Sequence, residues 1–93
     1  MYDVWGALSD PTRRKILDLL RRGTLTAGEI ADQFEMRKPS ISHHLNVLKQ
    51  AELVFSEKKG QQVEYSINTT VFQDLLQFIA KLSKQGGNQN ETL

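Results

Sequence analysis

Ser40, Ser42, His43 and His44 stand almost together in the chain and form its densest concentration of side chains able to do chemistry. A serine beside a histidine is the start of a nucleophile and general-base pair. Acyl transfer also needs an acid to orient the imidazole, an oxyanion hole and a pocket, and the pattern signals none of these. Adjacent histidines also suggest a metal, yet at i and i+1 on a helix their rings point in different directions. The chain has no cysteine and no third histidine to complete a ligand set. Polar recognition remains: hydroxyls, an amide, an imidazole and cations on one surface are groups that bond base edges or phosphates. The candidates for contact with DNA are therefore Arg37, Lys38, Ser40, Ser42, His43, Asn46 and Lys49, with His44 at the margin of the set. Met36 to Gln50 holds no acid, whereas the preceding segment carries Glu29, Asp32 and Glu35. A basic recognition surface beside an acidic supporting helix follows, and no catalytic residue, metal ligand or cofactor is expected.

Charge totals add nothing to this placement. Twelve basic and eleven acidic residues leave a formal net charge of +1, too mild by itself to signal a polyanion partner. The absence of cysteine excludes disulfides, thiolate metal sites and a cysteine nucleophile together. The N-terminus lacks the basic start and apolar run of a secretory signal, and no stretch approaches the ~18 apolar residues of a membrane span, so a cytoplasmic protein with no membrane insertion is expected. At 93 residues the chain is one domain of marginal stability alone, which a partner subunit would relieve.

The elements that position these residues are legible from caps and periodicity. Tyr2 to Leu8 predicts a short helix with Trp5 and Leu8 on one side. Ser9 and Asp10 are N-cap residues before Pro11, so a second helix should run to about Arg22 and stop at Gly23, with Ile16, Leu19 and Leu20 inward. Thr26-Ala27-Gly28-Glu29 has the spacing of a capping box and opens a helix to Phe34, with Ile30, Ala31 and Phe34 facing the core. After a turn over Glu35 to Arg37, the helix of residues 39–51 places Ile41, Leu45 and Leu48 at i, i+4 and i+7. Leu53-Val54-Phe55 and Val63 to Ile67 read as two strands around a Lys58-Lys59-Gly60 turn, a hairpin whose tip (residues 57–62) presents Lys58, Lys59 and Gln61 to the DNA backbone or minor groove. Asn68 or Thr69 caps a last helix to about Lys84. Residues 85–93 lack the apolar content to order themselves, leaving residues 1–84 as the folded domain.

Helix, helix, helix, turn, helix, hairpin, helix is the order of a winged helix-turn-helix domain, mainly α with a small β-hairpin. Asp10 to Leu17 (DPTRRKIL), Lys38 to Leu45 (KPSISHHL) and Ala51 to Val54 (AELV) resemble the ArsR family of bacterial repressors. That resemblance implies a homodimer built from the first and last helices, DNA contact through the Ser40 to Lys49 helix and the wing, and repression relieved by a signal. Many members sense metal through cysteines in the helix equivalent to Thr26 to Phe34, or through Asp and His ligands in the last helix; neither set is present. The resemblance is thus to the subgroup without a metal sensor.

The last helix carries Val71, Phe72, Leu75, Leu76, Phe78, Ile79 and Leu82, a stripe wider than one packed face of so small a domain requires. The expected subunit interface combines Tyr2 and Trp5 with Phe72, Leu75, Leu76, Ile79 and Leu82. Charges at Arg13 and Arg14 are read as a solvated helix face with phosphate contact as the alternative. The expected partners are double-stranded DNA and a second copy of the chain. A small molecule, oxidation of Met36 or a sequestering protein stays open as the signal that relieves repression. The rival reading is a winged-helix protein-interaction module that no longer binds DNA; the acid-free run favours DNA.

Overall fold

The computed structural model describes residues 2–88. Eight elements follow in order: α1 (Val4–Leu8), α2 (Pro11–Leu20), β1 (Leu25–Thr26), α3 (Ala27–Ala31), α4 (Lys38–Gln50), β2 (Val54–Lys59), β3 (Gln62–Ile67) and α5 (Thr69–Asn88). This is the winged helix-turn-helix order expected, mostly helical with a small antiparallel hairpin.

The helix starts obey their local chemistry. The Asp3 carboxylate accepts from the Gly6 amide at 2.7 Å and opens α1, and Asp10 accepts from the Arg13 amide at 3.1 Å ahead of Pro11. The capping box is complete: Thr26 Oγ1 accepts from Glu29 N at 3.1 Å and Glu29 Oε1 from Thr26 N at 2.8 Å. α4 has no side-chain cap; extended Arg37 leads into it and Pro39 sits in its first turn.

The end of α4 is less ordinary. The amides of Glu52 and Leu53 donate to the carbonyls of Lys49 and Leu48, both at 3.0 Å, which satisfies the open carbonyls in a Schellman arrangement. The pattern demands a left-handed residue at Glu52, whose φ is +62°, where glycine would sit without strain. Leu48 and Leu53, which flank the turn, are both fully buried.

Around them lies one core, from Ala7, Ile16, Leu17 and Leu20 through Ile30, Ile41, Leu45, Val47 and Leu48 to Ala51, Leu53, Val54 and Tyr65. Leu17 rather than Leu19 joins Ile16 and Leu20 in it; Leu19 is half-buried. α3 ends at Ala31, and Phe34, beyond the helix, packs half-buried on the core.

The sheet differs from a plain hairpin. It has three strands in the order β1-β3-β2, because Leu25 and Thr26 pair with Tyr65 and Glu64. β2 is longer than its apolar start suggested and carries Lys58 and Lys59 as strand residues, Lys59 opposite Gln62. Gly60 and Gln61 alone form the turn. Gly60 has φ +63° while Gln61 does not enter the positive region, the pattern of a type II′ hairpin.

α5 continues to Asn88, past Lys84 where the composition ended it. Of the tail expected there, residues 89–93 lie outside the described residues. Among the described side chains of α5, Val71, Phe72 and Leu75 pack, half-buried, on the subunit's own core. Beyond them the helix projects away, and the long dimension of a 57 × 24 × 23 Å body follows from it.

Candidate nucleic-acid interface

α4 is amphipathic by construction. Ile41, Leu45, Val47 and Leu48 are buried against the core, which forces Ser40, Ser42, His43, Asn46 and Lys49 outward, and all five are exposed. Ser42, Asn46 and Lys49, with His43 beside them, are spaced at i, i+4 and i+7, so they share one stripe along the helix. Thirteen residues of helix span about 20 Å, long enough to lie in a major groove ~12 Å wide. Arg37 and Lys38 are exposed at its start and Lys49 stands in its last turn, so cations bracket the neutral polar stripe at both ends.

The hairpin lies next to this helix in the chain, joined through Ala51 to Leu53. Lys58, Lys59 and Gln61 are all exposed. Successive strand residues face opposite sides, and the two lysines separate accordingly. Lys59 Nζ lies 3.6 Å from Glu64 Oε1, whereas Lys58 has no ion-pair partner among the described residues. The wing therefore offers one free lysine where the sequence suggested two. An exposed pair of this kind is weak, but it partly offsets the charge that Lys59 presents to solvent.

His44 does not belong to the exposed stripe. Its side chain is 15% exposed, and Nδ1 lies 3.1 Å from Arg13 Nη1 and 3.9 Å from Asp10 Oδ2. Helical spacing put it at the edge of the DNA-facing set; packing turns it toward α2. Its pKa is lowered, chiefly by burial, with Arg13 and His43 adding to the effect and Asp10 opposing it. The imidazole is thus neutral at physiological pH, and its approach to Asp10 is then not an ion pair. Burial pushes the Asp10 carboxyl up, but the Arg13 and Thr12 amide bonds and the Arg13 charge, together with the imidazole of His44 beside it, outweigh that and leave it below its usual value.

Arg13 is also removed from the solvated face expected of it. It is 6% exposed, and it donates from Nε to Ala7 O at 2.8 Å and from Nη2 to Gly6 O at 3.2 Å. Its Cζ sits 5.3 Å from the Tyr2 ring centre. The sequence signal for this was present, since Asp10 and Arg13 share the resemblance motif, but nothing local tied them to His44. Arg14 remains exposed, with Nη1 donating to Leu8 O at 2.7 Å.

The two histidine rings are 5.7 Å apart and tilted by 54°, and the inward nitrogen of His44 is taken by Arg13, so they do not present a joint chelating pair. Among the described residues no cluster of three or more His, Cys, Asp or Glu side chains could hold a metal, and no helix is long and apolar enough to cross a membrane.

On α1 and α5 and the segment that precedes α1, Tyr2, Trp5, Leu76, Phe78, Ile79 and Leu82 are exposed. Trp5 of α1 meets Phe78 of α5, ring centres 6.1 Å apart, so the two helices contribute to one apolar face. Phe72 and Leu75 sit at its inner edge and are shared with the subunit's core. An open groove of about 630 Å³ beside it is floored by Leu8, Leu17, Ile67 and Phe72, with Arg14 and Arg21 at the rim.

Comparison with known proteins agrees with this geometry. Residues 10–56 match the arsR family of bacterial regulatory proteins. The chain is 56% identical over 88 residues to the transcriptional repressor SdpR of Bacillus subtilis (strain 168), covering 95% of this chain and 98% of that one. It is 39% identical over 70 residues to an arsenical resistance operon repressor of Staphylococcus aureus, 75% of this chain and 67% of the relative. The crystal structure of an ArsR family transcriptional regulator superposes with a TM-score of 0.83 at 30% identity, covering 90% of this chain and 87% of that one.

Proposed function

Given that the chain belongs to the arsR family of bacterial regulatory proteins and is a transcription regulator, not an enzyme, we propose that it is a homodimeric repressor that reads an inverted repeat in double-stranded DNA. Each subunit lays α4 in a major groove, where Ser42, His43 and Asn46 meet base edges. Arg37, Lys38, Ser40 and Lys49 hold the phosphates on either side. The wing extends the grip along the backbone through Lys58 and Gln61, with Lys59 contributing less. The observation that carries this reading is the exposed, acid-free stripe of α4, held outward by four buried residues on its other face.

Dimerisation is argued from the apolar face of α1 and α5. Large side chains so exposed and contiguous are costly in water, and a second copy related by a two-fold axis covers them with their own equivalents. The two recognition helices then face successive major grooves on one side of the duplex, about 10 bp or a multiple apart. A small molecule, oxidation of exposed Met36 or a sequestering protein would relieve repression by disturbing that spacing or the α4 surface.

Selection of bound sequences from random duplex DNA, followed by sedimentation of the complex, tests the proposal. The expected outcome is an inverted repeat bound by two chains. Recovery of no preferred duplex would favour a winged-helix protein-interaction module instead.

A further inference from the structure

We propose that Arg13 and His44 form a positioning latch through which the α1 side of the fold sets the recognition helix, and that protonation of His44 opens it and weakens DNA binding. The inference rests on the DNA reading above for its functional consequence, but the latch itself is a matter of hydrogen-bond chemistry. A guanidinium tolerates burial only with partners for its donors. Arg13 finds them on two elements at once: the Gly6 and Ala7 carbonyls of α1, at 3.2 and 2.8 Å, and His44 Nδ1 of α4, at 3.1 Å. It thereby joins the helix that bears Trp5, on the proposed subunit interface, to the helix that reads DNA.

Arginine can only donate, so Nδ1 must be the acceptor. The latch requires a neutral imidazole with its proton on Nε2. Protonation removes the lone pair, sets two cations 3.1 Å apart and leaves a partly buried N–H without that partner. The groups facing His44 are Asp10 and Arg13 of α2, Tyr2 behind the Arg13 guanidinium, and His43 on its own helix. Asp10, 3.9 Å away, is the partner to which a charged ring would turn. That swing displaces the turn of α4 carrying Ser40, Ser42 and His43.

The sign of the effect follows. The latched form binds fewer protons than a free imidazole, because burial, Arg13 and His43 hold His44 below its ordinary 6.5 against the pull of Asp10. Latching is therefore favoured as pH rises. Its advantage begins to fall as pH drops below 6.5 and is lost by the lowered value. Exposed His43 is a second imidazole and stands on the DNA-facing stripe itself, so it must be removed from the comparison.

The test measures affinity of the His43→Asn protein for the selected duplex between about pH 7.5 and 5.5, with and without His44→Asn. Asparagine keeps an acceptor for Arg13 but takes no proton. Affinity should fall roughly tenfold or more on the acid side with His44 present, and stay level with asparagine in its place. The same acid-side profile for both proteins overturns the latch and leaves the DNA reading intact. In parallel, titration of the free wild-type protein by nuclear magnetic resonance follows the His44 ring together with the Gly6 and Ala7 amides. Concerted movement at a depressed pH supports the latch even if the asparagine variant misfolds or no duplex is selected. Titration of His44 at its ordinary value without α1 responding overturns it.

Discussion

Replacing Leu76 and Ile79 by glutamate should convert the protein to folded monomers. Leu76, Ile79 and Leu82 are 67%, 50% and 56% exposed in the single subunit. Full burial of such a side chain is worth about 2 kcal/mol, so covering what these three leave open supplies roughly 3 to 4 kcal/mol per subunit and about twice that per dimer. The double substitution removes about two-thirds of this contribution and adds two carboxylates that must be desolvated without a partner. Loss of about 4 to 5 kcal/mol raises the dimer dissociation constant by at least roughly a thousandfold. Sedimentation velocity at micromolar concentration should show monomers, while urea titration shows a cooperative fold, because neither side chain belongs to the subunit's core. Leu75→Glu is the contrasting control: Leu75 packs half-buried on that core, so this change should lower stability itself. A double variant that stays dimeric would refute the assignment of this face to a second copy.

Other expected outcomes follow from the same contacts. Ser42→Ala with His43→Ala should cost about 1 to 3 kcal/mol on the selected duplex and little on scrambled DNA, as competition binding would show; full discrimination would mean α4 does not read bases. Lys58→Ala should lower the slope of log affinity against log salt by about one unit and Lys59→Ala by less, since Glu64 already faces Lys59. Glu52→Gly should raise stability by about 0.5 to 1 kcal/mol in thermal unfolding, because it relieves the left-handed backbone at φ +62° while the Asn68 bond to the residue 52 carbonyl at 2.9 Å is kept. Stoichiometric zinc should leave DNA affinity unchanged; a tenfold loss reversed by a chelator, without aggregation, would contradict the split geometry of His43 and His44.

Features that depend on neighbours within a turn of helix were legible from the residues alone. The Thr26–Glu29 capping box, the Asp10–Pro11 start and the division of α4 into buried Ile41, Leu45 and Leu48 and outward Ser42, His43, Asn46 and Lys49 all rest on i to i+4 relations. The order of elements, and with it the winged helix-turn-helix and the outward polar stripe of α4, came from those local signals.

Tertiary structure decided what distant segments do to one another. The pairing of Leu25 with Tyr65, which makes the sheet three-stranded, joins residues far apart in the chain that no local pattern links. Cross-strand register moved Lys58 and Lys59 from the turn into β2, because the two-residue loop at Gly60 and Gln61 extends the ladder to the Lys59 and Gln62 pair. Leu75 and Leu76 are neighbours of equal hydrophobicity, yet one packs inward and the other stands exposed, a choice made by the direction in which α5 leaves the core. His44 shows the same division most sharply. Its helical position is written in the sequence, but its role depends on Arg13, which burial deprives of water and compels to find an acceptor on another helix.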